Sequence, residues 1–174
     1  MFVDTVIFNE VPPLRAGWMP VGSQAAVPIM AARASQCITT VLNIRSGDCI
    51  SHASPTYNQQ VFQTLLRQIR SHWRGWRIVL FADKHSAQRA KPSRALARQL
   101  GIELRWLPTA CPQLNPVDHL WRHLKNEVLA NLPTPTLKDM LQLALDYIEQ
   151  LSPLARLRKA GVLTEDFWLR DLLS

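Results

Sequence analysis

The sequence predicts an α/β fold with a mixed five-stranded sheet, an antiparallel meander plus parallel strands, flanked by helices. Three observations lead to this prediction. Segments rich in β-branched and aromatic residues come first along the chain. Short apolar runs then alternate with segments of helical periodicity, which is typical of parallel strands joined by right-handed crossovers. The chain has 174 residues and 47% of them are apolar, which is enough for one packed domain.

The meander is predicted in the first third of the chain. Residues 2–10 (FVDTVIFNE) form the first strand, which two prolines end. Clusters of β-branched residues at 25–31 and 36–45 predict the strands that follow. A turn at 46–48 (SGD) then leads into a short strand at 49–53.

The remaining segments alternate between helices and short strands. Apolar residues recur at helical spacing over 57–73, which predicts an amphipathic helix. Short apolar runs at 76–83 and 102–108 predict strands, of which the first is buried on both faces. Between them lies a helix that Gly101 ends. Further helices are predicted at about 115–130, 136–150 and 153–160.

Charge and cysteine content narrow the class of partner and the compartment. The net charge is +7 and the pI is about 9.9, which favours an anionic partner, either nucleic acid or an acidic membrane surface. No run approaches the length of a membrane span, and the N-terminus lacks the basic region of a signal peptide. The three cysteines, an odd number without metal-ligand spacing, predict free thiols in a reducing compartment, the cytoplasm.

The stretch CPQLNPVD predicts a well-defined helix start. Asn115 is a good N-cap, Pro116 suits the first helical position, and Asp118 falls in the first turn, where a carboxylate is favoured. A well-capped helix would explain these residues by itself. The alternative is a carboxylate held at the rim of a site, and Asp83, at the end of a predicted strand, is a suitable partner for it.

Residues 76–125 resemble the catalytic core of the DDE transposases, and more closely the mariner-type superfamily and its bacterial insertion-sequence relatives. The shared pattern is a strand ending in Asp83, a basic helix, a strand ending in "LP", an "LNP" turn, and Asp118 followed by "xxW". Between the two acids lie 34 residues, the spacing typical of that superfamily. Upstream, Asp4 is followed at the family's offsets by Pro12, Trp18 and Gly22.

The resemblance implies a ribonuclease H-like fold and a single catalytic domain over 1–174, with C-terminal helices from about 136. Family members carry a helix-turn-helix DNA-binding region upstream. This sequence begins at the first strand, so that region is expected to be absent.

The resemblance also implies the site and its chemistry. Asp4, Asp83 and Asp118 would be the catalytic residues and would hold two Mg²⁺ or Mn²⁺ ions for DNA strand cleavage and strand transfer. The expected partner is DNA, both element ends and target, in the nucleoid, and a homodimer is an option for the active complex. Each acid also has a simpler explanation. Asp4 is explained as a solvated acid near the N-terminus, Asp83 as a strand-end residue that caps the next helix, and Asp118 as an acid that interacts with the dipole of its helix. Glu10 is a weaker alternative for the first acid.

Basic residues around the acids are candidates for contacts with DNA phosphates. The basic region 57–98 has two possible explanations. It is either an ordinary solvent-exposed face or, since the resemblance places the acidic site beside it, a surface that contacts the phosphates of a DNA strand. The residues assigned to DNA binding are Lys84, His85, Arg89, Lys91, Arg94, Arg122 and Lys125.

The sequence differs from the family pattern at four positions. Asp118 stands where Glu is usual, Lys84 replaces an Asn, Gln88 occupies a His position, and Thr5 replaces a Glu. Two alternatives to a transposase catalytic domain therefore stay open. One is a decayed transposase fragment that acts only as a DNA-binding or assembly module, and the other is a stand-alone nuclease of the same fold.

Other candidate residues have simpler explanations. His119 and His123 lie at i and i+4 and could bind zinc, but no third ligand is evident, so packing or surface histidines are expected. Cys111 is expected to be a structural thiol, because no partner for a reactive thiolate is evident. Trp18 could stack on a base, but core packing is favoured.

Overall fold

The computed structural model describes residues 1–9, 20–22, 34–130 and 136–172. Within these ranges, the strands are β1 (Phe2–Asn9), β2 (Ser35–Leu42), β3 (Cys49–Ser54), β4 (Ile78–Ala82) and β5 (Ile102–Trp106). The helices there are α1 (Gln59–His72), α2 (Ser86–Arg89), α3 (Lys91–Gln99), α4 (Pro116–Glu127), α5 (Leu137–Gln150) and α6 (Pro153–Lys159).

The five strands form one mixed sheet in the order β3-β2-β1-β4-β5 within the described ranges. The first three pair antiparallel, while β4 pairs parallel with β1 on one side and with β5 on the other. The predicted antiparallel meander with added parallel strands is therefore confirmed. The first strand lies at the centre of the sheet because β4 returns beside it rather than beside β3.

The two faces of the sheet bury two separate clusters. Even-numbered residues of β1 face α4 and α5, whereas Val3 faces α1 and α3, as expected from the alternation of side chains along a strand. On the first face the fully buried members include Phe2, Ile38, Leu120 and Leu124. On the second face they include Phe62, Leu65, Leu66, Ile69 and Leu80.

The β2–β3 turn at 46–48 also holds α6 in place. Gly47 has a φ of +74°, and a Cβ built there would overlap the carbonyl of Pro153. Arg156 donates from Nη1 to the carbonyl oxygen of Gly47 at 3.2 Å. The predicted turn therefore needs glycine for its backbone conformation and for the close approach of the C-terminal helix.

Some expectations lie outside the described residues, and one element was not predicted. The strand expected at 25–31 and the residues Glu10, Pro12 and Trp18 lie outside the described ranges. The helix α2 was not predicted, because its four residues are too few to show a helical period. No helix of the described ranges combines the length and the apolar character needed to cross a bilayer.

Candidate active site

Asp4 and Asp83 lie side by side because of the pairing between β1 and β4. Phe2 is opposite Phe81 in this parallel pair, which puts Asp4 and Asp83, each two residues further on, at equivalent positions. Asp83 directly follows β4 and is exposed, whereas Asp4 lies inside β1 and is half-buried. The sheet register thus places two carboxylates at the carboxyl end of β4, where sites of open α/β sheets gather.

Asp118 comes from the first turn of α4, whose start is fixed by Asn115. The Asn115 side chain accepts a hydrogen bond from the backbone N–H of Val117 at 3.1 Å, as predicted for an N-cap. Its amide nitrogen also donates to the carbonyl oxygen of Val3 at 3.0 Å. Asn115 is only 3% exposed. One buried side chain therefore caps α4 and ties it to β1, one residue before Asp4.

The three carboxylates line a single cavity of about 220 Å³. The remaining walls come from Asn115 and from the loop after β5. This loop continues the pairing with β4, because the backbone N–H of Leu107 donates to the carbonyl oxygen of Ala82 at 2.8 Å. This loop contributes Leu107, Pro108, Ala110, Cys111 and Pro112. The structure thus gathers Asp4, Asp83 and Asp118, which are far apart in sequence, around one space open to solvent.

The pKa of Asp4 is strongly perturbed by its surroundings. Burial, and then the negative charges of Asp118 and Asp83, together raise this pKa to about 7. The backbone N–H of Thr5 and the charge of Lys125 oppose this rise. Around neutral pH the cluster therefore holds a proton that a cation could replace.

Asp118 is paired with a cation of its own helix. Arg122, one turn further along α4, donates from Nη2 to Oδ2 of Asp118 at 2.8 Å. Both side chains are more than a third exposed, so this pair contributes little to stability. Arg122 was predicted to contact DNA, and here it neutralises one of the three acids.

The segment after Asp83 is ordered by a capping box. The backbone N–H of His85 donates to Oδ1 of Asp83 at 3.3 Å and to Oε1 of Gln88 at 3.2 Å. In return, Nδ1 of His85 accepts from the backbone N–H of Ala87 at 3.2 Å. His85 was predicted to bind DNA, and its Nδ1 is committed to starting α2.

Tyr57 joins two of the positions at which the sequence differs from the family pattern. Its hydroxyl accepts a hydrogen bond from Nε2 of the buried Gln88 at 3.1 Å, and the nearby Thr5 side chain lowers its pKa. Burial raises the pKa of Tyr57 well above its ordinary value. Sequence reasoning missed Tyr57, because a tyrosine before a helix carries no local signal. The polar residues at 5 and 88 thus both lie next to the half-buried Tyr57.

Lys84 adopts an unusual backbone conformation. Its φ is +66°, in the left-handed region that Asn tolerates better than Lys does. Its Nζ reaches Oγ1 of Thr109 at 3.3 Å, across the loop that borders the cavity. The family's usual Asn at this position therefore has a conformational reason, and Lys84 adds a positive charge there at the cost of backbone strain.

The basic residues of α2 and α3 form an exposed surface beyond Asp83. Arg89, Lys91 and Arg94 are all exposed, and Lys125 lies half-buried on α4, close enough to lower the pKa of Asp4. Arg70 belongs to a different class, because its guanidinium donates to three carbonyl oxygens. These carbonyls belong to Leu100, Gly101 and Trp76.

The histidine pair and Cys111 fit their simpler explanations. His119 contacts the carbonyl oxygen of Gln113 at 3.2 Å, and His123 bonds Glu127 at 2.9 Å, so the two rings serve different neighbours. The thiols of Cys37, Cys49 and Cys111 are free. Cys111 lines the cavity and lies 3.5 Å from the carbonyl oxygen of Thr109.

The donor set suits a hard divalent cation. Three carboxylates offer the oxygen ligands that Mg²⁺ and Mn²⁺ prefer, and the proton held by the cluster indicates a deficit of positive charge there. As placed, no group of three or more His, Cys, Asp or Glu among the described residues is close enough to hold a metal ion. Asp118 is instead bonded to Arg122 of its own helix.

Comparison with known proteins gives a family and a fold. The family described as DDE superfamily endonuclease matches residues 1–141. The mariner Mos1 paired-end complex with Mg shares 16% identity and a TM-score of 0.75, covering 97% of this chain and 53% of that chain. The catalytic domain of Mos1 mariner transposase shares 14% identity and a TM-score of 0.62, covering 93% and 76%. No curated protein matches the sequence.

The chain spans about half the length of the Mos1 transposase chains of these complexes. In the Mos1 Strand Transfer Complex, for example, the match covers 95% of this chain and 52% of that chain, with 15% identity and a TM-score of 0.72. At such identities the likeness concerns the fold, and it confirms the ribonuclease H-like prediction. Since the family match covers most of the chain and the fold is that of a mariner-type catalytic domain, the chain belongs to the DDE superfamily endonucleases.

Proposed function

We propose that this chain is the catalytic domain of a DDE-type transposase, which cleaves DNA strands and transfers their ends with the help of divalent cations. The observation that carries the proposal is the cavity lined by Asp4, Asp83 and Asp118, which come from three separate elements. Mos1 structures with Mg and with Mn support the choice of cation. When bound, such ions would activate a water or a DNA 3′-hydroxyl and stabilise the leaving oxygen.

The residues of the chain have distinct tasks in this proposal. Asp4 gives up its proton to become a ligand, and the charge of Lys125 favours that loss. Asp118 leaves Arg122 and turns toward the other acids, while Asn115 holds the start of α4 against β1. The guanidinium of Arg122 is then free to contact a phosphate of the incoming strand.

The proposed substrate is DNA, with the transposon end and the target as its two forms. Mos1 relatives of the same fold are complexes with a transposon end, which supports this choice. On this chain the exposed side chains of Arg89, Lys91 and Arg94 lie on α2 and α3, the helices that follow Asp83, and we propose that they contact DNA phosphates. We also propose that two copies of the chain act together on DNA as a homodimer. The molecular mass of the complex with DNA would test this.

The test is a nicking and strand-transfer assay with labelled duplexes that carry a free 3′-hydroxyl end. Cleavage should require Mg²⁺ or Mn²⁺ and should be lost in Asp83→Asn and Asp118→Asn. The matched control is Asp146→Asn on α5. It removes a carboxylate that accepts a hydrogen bond from Gln142, and the variant should cleave DNA as the wild type does.

The products separate the alternatives. Hydrolysis without joining would indicate a nuclease of the same fold. Metal-independent DNA binding without any cleavage would indicate an assembly module and would contradict the proposed activity. Full activity of Asp118→Asn would show that Asp118 only stabilises the start of α4 and is not a catalytic residue.

A further inference from the structure

Trp168 contacts three segments that are distant in sequence. Its indole N–H donates to the carbonyl oxygen of Leu114 at 3.0 Å. Its ring lies edge-on to Phe2, at 6.0 Å between centroids, and to Phe81, at 5.7 Å. Phe2 and Phe81 stack on each other at 4.8 Å across the β1–β4 pair. Trp168 therefore rests on a pair of rings and on the turn that precedes α4.

Each of these contacts is adjacent to one of the three carboxylates. Phe2 lies two residues before Asp4, on the same face of β1, because side chains alternate along a strand. Phe81 likewise lies two residues before Asp83. Leu114 directly precedes the cap of α4, the helix whose first turn carries Asp118. One side chain thus contacts every segment that carries an acid of the cavity.

The segment that carries Trp168 is itself anchored. Its neighbour Phe167 is 8% exposed and Val162 is 2% exposed, both in the cluster beneath α4 and α5. Arg156 on α6 donates to the carbonyl oxygens of Ile148 and Gly47, which fixes the start of the segment. Trp168 is therefore held in place by the segment that precedes it in the chain.

We propose that Trp168 is a positioning residue that holds the three carboxylate-bearing segments around the cavity, so that their acids can converge on divalent cations once Asp118 leaves Arg122. The inference rests on the proposed function and adds the C-terminal segment, which lies beyond the family match at 1–141, to the working site. Metal sites tolerate displacements of only about 0.5 Å, so a brace common to three ligand-bearing segments affects affinity directly. Trp168 touches neither DNA nor metal in this proposal and acts through the backbone of its neighbours.

The exposure of Trp168 distinguishes positioning from simple packing. The residue is 42% exposed, so it buries less apolar surface than the core tryptophans Trp73 and Trp121, which are 4% and 2% exposed. A packing role alone would lower the melting temperature and leave metal affinity unchanged in the folded protein. A positioning role lowers metal affinity at temperatures where the protein is fully folded.

The experiment measures Mn²⁺ binding by electron paramagnetic resonance, well below the melting temperature of each variant. Trp168→Ala should weaken Mn²⁺ binding about 10-fold or more, in the range seen when groups that orient metal ligands are removed. Binding of duplex DNA in EDTA should be unchanged. The control is Leu163→Ala, which removes an apolar side chain that is 51% exposed in the same segment and should bind Mn²⁺ like the wild type.

A second variant keeps the inference testable if Trp168→Ala does not fold. Trp168→Phe retains a ring against Phe2 and Phe81 but loses the N–H that donates to Leu114. Because only one kind of contact is lost, Mn²⁺ binding should weaken by about 3-fold, less than in Trp168→Ala. Wild-type affinity in the folded Trp168 variants would overturn the inference and leave the proposed function intact. An equal loss in Leu163→Ala would also overturn it. Absence of Mn²⁺ binding by the wild type would instead contradict the proposed function itself.

Discussion

At the scale of single residues, Asp4 differs most from its behaviour in water. Its pKa of about 7, against an ordinary value of 3.8, follows from burial and from the charges of Asp118 and Asp83. Asp4 therefore holds a proton at a pH at which an ordinary aspartate has lost it. A cation that binds there at neutral pH must displace that proton, which makes its affinity depend on pH.

The first prediction concerns stability against pH in EDTA. Between about pH 4 and pH 7 the folded state holds a proton on Asp4 that the unfolded chain has released, so the contribution of Asp4 to stability falls as pH rises. Relative to Asp4→Asn, the wild type should lose on the order of 2–4 kcal/mol of unfolding free energy across this window, at about 1.4 kcal/mol per pKa unit. Urea unfolding at several pH values measures it.

Saturating Mn²⁺ provides the control for this prediction. The cation binds the folded wild type more strongly as pH rises and should therefore offset the loss of stability there, whereas Asp4→Asn has no such loss and its pH profile should change little. Parallel pH profiles of the two proteins in EDTA would show that the Asp4 carboxyl is not perturbed.

The second prediction concerns Lys84, whose left-handed backbone is unfavourable for its side chain. Lys84→Asn should raise the free energy of unfolding by roughly 0.5–1 kcal/mol compared with Lys84→Ala, because Asn visits this region at low cost whereas Ala does not. The comparison with Ala removes the effect of the lost lysine charge. Equal stability of the Asn and Ala variants by urea unfolding would mean that the backbone of residue 84 is not strained.

At the scale of secondary-structure elements, the start of α4 is the junction on which the cavity depends. Asn115 caps this helix and bonds β1, so the angle of the helix and the position of the central strand are linked by one side chain. Leu114 packs against the core and Trp121 is 2% exposed, so both hold this helix against the sheet. The carboxylate of Asp118 is thus aimed by a helix with little freedom to tilt.

The third prediction separates the two tasks of Asn115. Asn115→Ser keeps an acceptor for the cap but cannot reach Val3, whereas Asn115→Ala loses both bonds. Asn115→Ala should lower the free energy of unfolding by about 1 kcal/mol for the lost cap and by about as much again for the lost bond to Val3. Asn115→Ser should lose mainly the contribution of the bond to Val3. Both variants should lower metal-dependent cleavage. A stable Ala variant with full cleavage would show that this junction is not required.

At the scale of the whole molecule, a basic chain with a net charge of +7 carries an acidic cavity at the carboxyl end of β4. The exposed basic side chains of α2 and α3 lie on the two helices that follow Asp83 in the chain. Arginines within the same region divide into two groups. Arg94 is exposed, while Arg70 is engaged with the carbonyls of Leu100, Gly101 and Trp76.

The fourth prediction uses this division. Duplex binding should be weak and independent of sequence, and the logarithm of affinity should fall with the logarithm of salt concentration by about 0.9 per phosphate contact. Arg94→Ala should reduce that slope by about 0.9. Arg70→Ala should lower the melting temperature and leave the slope unchanged. Fluorescence anisotropy at several salt concentrations measures the slopes, and equal slopes in Arg94→Ala and the wild type would contradict a phosphate track on α3.

Local sequence determined most of the elements. β4 was readable because a strand buried on both faces is a continuous apolar run, and α1 because its apolar residues recur at helical spacing. The start of α4 was readable from Asn115 and Pro116, whose backbone preferences are intrinsic. The meaning of the acids came from the family resemblance of these same segments, because a carboxylate at a strand end or a helix start has a local explanation as well.

Tertiary structure alone decided which residues meet. The register of β1 against β4 sets Asp4 beside Asp83, and no local preference encodes a pairing between segments so far apart. The bonds of Asn115 to Val3, of Gln88 to Tyr57 and of Trp168 to Leu114 join residues that are 112, 31 and 54 positions apart. A capping residue or a buried strand is visible in sequence because its cause is local, whereas a partner across the fold is chosen only when the sheet and the helices have packed.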